Sequence, residues 1–503
     1  MQDTNPIRGF KDIIDRDFEY SNLYNTCLKI AKQNCYYEAI SPVLEKSSLF
    51  ERGMGEDSDA ASKELYKFTF HGESLALRPE FTAGIARMIV NYPEFINGHT
   101  EKTGLNLFSF APVFRHDRPQ AGRYRQFFQA NFECFKNQDI SSDFSAINLT
   151  IAIIEQYLNL KTCIKDIKNL GLKIKIKINS LGSLATKNLY AQKLSDYLLK
   201  HESNLSVDSK KRLKTNPIRI LDSKDENDKK IIASAPLINS VWSKEEECNF
   251  KSLCRSLEAS IDPRFKDFIV IEQDLGLVRG LDYYTSTVFE VVPSFNDQDE
   301  LTIFAGGRYD NLISQLSSNA YSLPAFGFAC GVERLIEFKK DIDNKLYLAS
   351  NDGTKKIKLA VILMLPKDEL AKQEAYPKFL HLANKLKNND IPNLIANDTK
   401  ANYHQYSSQI IIANKLATSI EQCSSDGFTH QIVIGQKEAD NFTVKDDGSY
   451  TYQINKIKKL NDSNPKSTSQ EIIIIQCDIN GNTIFISQSR VLEIKNISEI
   501  LVA

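Results

Sequence analysis

The chain has 503 residues, too many for one compact core, and at roughly 150 residues per domain it should hold about three domains. Hydrophobic residues make up 42% and charged residues 25%, which is ordinary for a soluble globular protein. With 63 basic and 64 acidic residues the net charge is −1, which excludes a strong global attraction to nucleic acid but leaves room for a local basic surface.

In chain order, the opening stretch MQDTNPIRGFKDI is polar and lacks the apolar core of a signal peptide. No run reaches transmembrane length, so no membrane partner is expected. From about Phe18 to Asn34, Tyr20, Leu23, Tyr24, Cys27, Ile30 and Ala31 fall on one stripe, which predicts an amphipathic helix. An extended piece ends at Pro42. Strand-like runs then recur at Leu75–Leu77, Leu107–Phe114, Phe127–Phe135, Thr287–Val292 and Phe326–Cys330, with helices between them. Few βαβ repeats are visible, so the expectation is an α+β fold, an antiparallel sheet with helices around it.

From about Ser183 to Asp262 the chain is rich in Lys, Asp, Glu and Ser and reads as a helical module set between two strand-rich parts. A polar boundary lies at Asn351–Lys356. Beyond it a strand (Ile357–Leu365), a helix through Leu370, Phe379, Leu382 and Leu386, and a strand (Gln431–Ile434) indicate a small α/β domain. The stretch from about Asp447 to Ala503 carries a solvated segment (Asn461–Gln470) and two β-rich runs. Nine cysteines are scattered without a CxxC pair, so neither a disulfide framework nor a metal site is expected, and a reducing cytoplasm fits best.

Five segments carry candidate chemistry. In Arg115–Arg125, four arginines (Arg115, Arg118, Arg123, Arg125) flank a loop between two strands, and guanidinium forks suit polyphosphate or carboxylate. On the second strand Gln129, Asn131 and Glu133 alternate with Phe128, Ala130, Phe132 and Cys134. The apolar row belongs to the core, and the polar row lines either a pocket or a solvated hairpin face. Leu277-Val-Arg-Gly-Leu-Asp-Tyr-Tyr-Thr285 puts Arg279 in an apolar neighbourhood, where it needs an anion or an acid partner, with Asp282 the nearest in sequence. Ala305–Asp310 sets two glycines after a strand, for a ligand or for a bend. Gly327–Arg334 runs from a strand into a helix start that favours phosphate. In Leu77–Gly84, Glu80 and Thr82 either meet an ammonium group or cap a helix.

Together these segments resemble the class II aminoacyl-tRNA synthetases. The first class motif is similar to Ser41-Pro-Val-Leu-Glu45 and the following Leu49–Asp59, the second to Phe114–Glu133, the third to Gly327–Arg334. Leu277–Tyr284 and Ala305–Asp310 resemble the two signatures of the histidyl enzymes within the class. The resemblance covers about Asn5 to Glu337, and Asn179–Gly182 and Asn216–Lys224 are also family-like.

That resemblance implies a catalytic core over 1–182 and 263–345, a helical insertion over 183–262, an anticodon-binding α/β domain over 355–446 and a divergent extension over 447–503. It implies that Glu80, Phe81, Thr82 and Gln129 hold histidine, with Glu133 and Tyr284 bracketing the imidazole and Tyr283 closing the pocket. A carboxylate on one ring nitrogen and a phenol on the other suits imidazole, which offers a donor and an acceptor. ATP would meet Arg115 at its α-phosphate, Arg123 and Arg334 at its phosphates and Phe127 at its adenine. Arg115 and Arg279 would contact histidine as well as carrying catalysis, Mg2+ would bridge the leaving pyrophosphate, and tRNA(His) would meet Arg118 and Gln120 at its acceptor end. Ala121 stands where bacterial relatives commonly carry lysine. A homodimer would form around Pro42, in the cytoplasm. The rival is a catalytically silent paralogue that regulates histidine biosynthesis by binding the phosphoribosyltransferase. Such paralogues tend to lose the arginines retained here at 115, 279 and 334.

Overall fold

A computed structural model describes residues 4–349 apart from 16–17, 55–63, 93–103, 118–121, 136–139, 161–166, 297, 300 and 321, and beyond 349 it describes strands only. Arg118, Gln120, the segment 351–356, the helix expected through Leu370–Leu386 and the segment 461–470 lie outside the described residues. The chain divides into two units, Met1–Leu346 and Tyr347–Ala503.

In the first unit the strands are β1 (Tyr36–Glu38), β2 (Leu44–Lys46), β3 (Lys67–Phe70), β4 (Glu73–Leu77), β5 (Leu105–Phe114), β6 (Gln126–Phe135), β7 (Leu172–Ser180), β8 (Ile269–Gln273), β9 (Thr285–Phe295), β10 (Gln298–Asp299), β11 (Phe304–Arg308) and β12 (Ala325–Gly331). The helices are α1 (Glu19–Gln33), α2 (Ser47–Met54), α3 (Thr82–Asn91), α4 (Ile140–Tyr157), α5 (Leu184–Leu199), α6 (Val207–Thr215), α7 (Glu226–Ile232), α8 (Lys244–Ser260), α9 (Leu312–Leu316) and α10 (Val332–Ala349).

One nine-stranded sheet organises the unit, in the order β1-β5-β6-β12-β11-β9-β7-β8, with β10 paired to β9. Only β1–β5 and β7–β8 are parallel pairs in it. Alternation along the strands separates two apolar faces. Phe108, Phe132, Phe289 and Phe328 turn to one face, where the stripe of α1 (Leu23, Cys27, Ile30, Ala31) packs with α4, α8 and α10. The next residues along, Leu107 and Val288, belong to the opposite cluster with Ile85 of α3, Leu194 of α5 and Tyr309.

The expected helix and the five expected strands are present, with ends that coincide or shift by up to three residues. Two differences matter. The glycines of Ala305–Asp310 lie inside β11, not after it, because Gly306 and Gly307 are hydrogen-bonded on both sides, to β9 and β12. The stretch 183–262 is helical, and its last helix, α8, packs Phe250, Leu253 and Leu257 into the sheet core. In the second unit the strands Tyr406–Ala413, Ile357–Met364 and His430–Ile434 are parallel neighbours, and Ile457–Lys459 adds antiparallel. A separate five-stranded sheet runs from Thr443 to Val491.

An ion cluster ties helix to sheet on the first face, where the Arg308 guanidinium lies over the Phe326 ring. Buried Arg308 on β11 bonds Asp143 of α4 and, at 3.1 Å, Asp310, while Thr287 donates to Asp143 at 2.5 Å. Removing one partner strands a buried charge. Asp143→Ala should therefore lower the unfolding free energy by about 3–5 kcal/mol in urea titrations, whereas a loss below about 1 kcal/mol would contradict the role given to this cluster.

Candidate active site

The polar row of β6 does line a pocket. A cavity of about 420 Å³ is bounded by Gln129 and Asn131 together with Glu80 and Thr82, Arg115, Arg123 and Phe127, Arg279, Tyr283 and Tyr284, and Arg334. Glu133 lies below its floor, fully buried, and Phe81 stands behind it, 1% exposed with the Arg78 guanidinium 4.3 Å from its ring.

Geometry at one end follows from burying carboxyls. Glu133 accepts hydrogen bonds from Thr82 Oγ1 (2.5 Å), from Asn131 Nδ2 (2.9 Å) and from the Tyr309 hydroxyl. Gly327 faces Glu133 across the β6–β12 pair, and a Cβ there would fall 1.6 Å from the Glu133 Oε2. Glycine makes room for the carboxyl. Burial pushes the Glu133 carboxyl up to about 7 against the pull of its three donors, and Glu80 adds to the rise. Glu80 accepts from the Thr82 and Ala83 backbone N–H groups at 2.5 and 2.9 Å, so it caps α3 and lines the cavity at once. Burial raises its carboxyl too, opposed by those bonds and by Arg115. The Tyr283 and Tyr284 rings lie 4.7 Å apart, and Tyr283 is 5.7 Å from the Tyr309 ring. Lys187 of α5 pins this segment, donating to the Tyr284 carbonyl at 2.9 Å.

The other end is cationic. Arg115 donates from Nε to the Pro79 carbonyl (2.8 Å) with its guanidinium 5.6 Å from the Phe127 ring. Arg334 donates to the carbonyls of Gly122 (3.2 Å) and Thr302 (2.9 Å). Burial and then the like charges of Arg123 and Arg115 hold Arg334 below its usual value, so the cluster favours an anion that would relieve the repulsion. Between the two ends, Arg279 pairs with Glu290, which also accepts from Thr302 at 3.0 Å. Asp282, the partner suggested by sequence proximity, accepts from Asn216 at 3.0 Å instead. Burial opposes the Arg279 charge most strongly, but Glu290, Tyr284, Tyr283 and Asp222 together outweigh it and hold the guanidinium above its usual value. Among the described residues, buried Gln129 Oε1, Arg123 Nε and Arg279 Nε have no hydrogen-bond partner, and leaving such atoms unpaired costs about 1–3 kcal/mol each.

Sequence reasoning passed over Tyr309, Glu290, Thr302 and the Asp222–Lys224 pair that line or support this cavity. Tyr309 and Asp222 stood in segments already singled out. Glu290 sits mid-strand in an apolar run, a signal that was available. Among the described residues no group of three or more His, Cys, Asp or Glu converges as a metal site.

A broad antiparallel sheet carries three arginines at one end of the cavity and buried carboxyls at the other. The family model described as histidyl-tRNA synthetase matches residues 9–335. The chain is 39% identical to a histidine–tRNA ligase of Rickettsia bellii, over 66% of this chain and 74% of the relative. It is 37% identical to one of Orientia tsutsugamushi, over 78% and 84%, and 38% identical to a chloroplastic one of Pyropia yezoensis, over 69% and 77%. Its fold is similar to that of the apo histidyl-tRNA synthetase of S. aureus, with a TM-score of 0.57 at 23% identity over 96% of this chain and 97% of that one. The chain belongs to the histidyl-tRNA synthetase family.

The Glu133 carboxyl has a consequence for stability. Its folded-state value of about 7 lies above the roughly 4.3 of an unfolded chain, so the folded state holds a proton that the unfolded state releases. Stability from this group is present at acidic pH and is lost as pH rises to about 7. Urea midpoints should show Glu133→Gln losing less stability between pH 5 and 7 than the wild type, by roughly 1–3 kcal/mol; parallel losses would contradict a buried carboxyl of this kind.

Proposed function

We infer that the chain is a histidine–tRNA ligase, which activates L-histidine with ATP to histidyl-adenylate and transfers the histidyl group to the 3′ end of tRNA(His). The observation that carries this is the meeting in one cavity of Arg115, Arg279 and Arg334 with Glu80 and Thr82, the latter donating to Glu133 directly beneath the floor. The same arginines speak against the silent regulatory paralogue.

In the proposed chemistry Glu80, Thr82 and Gln129 hold the ammonium and carboxylate of histidine. Glu133 and Tyr284 read the imidazole, Tyr283 closes over it, and Phe81 backs the pocket from the core. Such polar readers reject apolar amino acids because their own groups would be left unpaired. Phe127 faces the adenine, Arg115 the α-phosphate, and Arg123 and Arg334 the outer phosphates. The histidine carboxylate attacks the α-phosphorus in line and pyrophosphate leaves, while Arg279 stabilises the charge that develops there. The terminal ribose hydroxyl of the tRNA then attacks the adenylate carbonyl and AMP leaves.

A magnesium ion fits as an ion arriving with the polyphosphate, since Glu290 supplies a carboxylate beside the arginines and magnesium is usually held by one or two carboxylates plus phosphates. Bound there, it would neutralise charge on the leaving pyrophosphate. Arg118 and Gln120 are proposed for the acceptor end of the tRNA, and 355–446 for its anticodon. A homodimer around Pro42 is part of the same proposal, supported by exposed Tyr37, Ile40, Val43 and Leu44 on that segment. The proposed compartment is the cytoplasm, in keeping with free thiols such as Cys35 and Cys248.

Two substitutions test these roles. Arg279→Ala should lower histidine-dependent ATP–pyrophosphate exchange by about 10²–10³ while the thermal midpoint stays within a few degrees; near-normal exchange would remove Arg279 from the chemistry. Glu133→Ala should raise the KM for histidine far more than that for ATP, and equal losses would mean that the imidazole site lies elsewhere.

A further inference from the structure

The arginine-bearing hairpin is braced from outside by a surface segment that the proposed chemistry does not use. Residues 8–11 run past its base ahead of α1. The Gly9 carbonyl accepts from the Arg125 N–H at 2.7 Å, and the Arg125 carbonyl accepts from the Arg115 N–H at 2.9 Å, so one backbone ladder joins Gly9 to Arg115. The Arg125 guanidinium ties back to the Arg8 carbonyl (3.2 Å) and the Asp117 carbonyl (3.3 Å). A second link runs through Lys11, whose Nζ sits 3.7 Å from the centre of the Tyr124 ring. Tyr124 donates to Glu337 at 3.2 Å, on the helix that carries Arg334.

The contact requires glycine. Gly9 has φ +88°, and a Cβ there would fall 2.7 Å from the Arg125 Cδ. A side chain at position 9 therefore strains the backbone and pushes on the arginine in one step. The segment is otherwise solvated, with residues 4–8 and 11–14 exposed. Its apolar burial is confined to half-buried Phe10, edge-on to Tyr66 at 6.1 Å between ring centres, so apolar burial does not account for the Gly9–Arg125 contact.

We propose that residues 8–11 form a positioning strap for the adenylation site, setting Arg115 through Arg125 and the Arg334 side through Tyr124. Gly9 and Lys11 are positioning residues, since they touch neither the cavity nor a reacting group. The proposal rests on the ATP-binding role given above to Arg115 and Arg334. It predicts that loosening the strap damages use of ATP and spares histidine, whose Glu80–Thr82–Glu133 end has no strap contact.

The test is steady-state pyrophosphate exchange with full-length variants, varying ATP and histidine separately, alongside thermal midpoints. Gly9→Val should lower kcat/KM for ATP by about ten- to a hundredfold, with the histidine KM within about twofold and the midpoint within a few degrees. Lys11→Met, on an exposed side chain free of backbone strain, should lower kcat/KM for ATP about two- to fivefold, and Lys11→Arg, which keeps the cation over Tyr124, should restore it. Unchanged kcat/KM for ATP in both loss variants would overturn the strap, as would equal losses toward ATP and histidine. Wild-type protein with no histidine-dependent exchange would overturn the adenylation reading itself, a separate and recognisable result.

Discussion

Glu133 is the group on which the site's architecture depends. A carboxyl with no solvent exposure is costly unless it is hydrogen-bonded, and its partners here come from separate elements. Thr82 reaches it from the start of α3, Asn131 from its own strand and Tyr309 from just beyond β11, while Gly327 of β12 leaves the space it fills. Each of these must be in register for the carboxyl to be satisfied. The pairing of β6 with β12 and the entry of α3 are thereby coupled to one side chain. Under the proposed function that same side chain reads imidazole, so the feature that orders the pocket also sets its specificity.

The opposite end works by repulsion rather than satisfaction. Arg115, Arg123 and Arg334 gather there, and although Asp117 pairs with Arg123 at 3.2 Å, Arg334 still feels the other two arginines as a penalty on its charge. Arg279 stands between the two ends with Glu290 as its counter-ion. The cavity is thus graded from carboxyl to guanidinium along its length. An amino acid with its ammonium at the first end and a nucleotide with its phosphates at the second would bring carboxylate and α-phosphorus together near Arg279. The strap at residues 8–11 adds a surface constraint on the cationic end alone.

Much of the site was legible because its residues cluster in short motifs. Alternation on β6 separated Gln129, Asn131 and Glu133 from the core row, and the structure keeps that separation. What sequence could not provide was partnership across the sheet. Tyr309 meets Glu133 only because β11 and β6 flank β12, a neighbour relation that no local pattern encodes. Glu290 was passed over although a lone carboxylate in an apolar strand stands out, and Arg279 was matched to the nearer Asp282 by proximity in sequence. In the fold, β7 went unread although Ile174, Ile176 and Ile178 alternate strictly with lysines, a period-two pattern that fits a strand with one buried face. The inward packing of α8 was equally invisible to composition, since its apolar stripe is narrow and its other faces are charged.

The account's central claim is that this cavity activates histidine and no other amino acid. Pyrophosphate exchange on the wild-type protein with each of the twenty amino acids in turn measures this most directly. Exchange should appear with histidine and stay at background with the rest, since a site of buried polar readers discriminates by about 10⁴–10⁵ against side chains that leave them unpaired. Exchange with a different amino acid, or with none, would contradict the account.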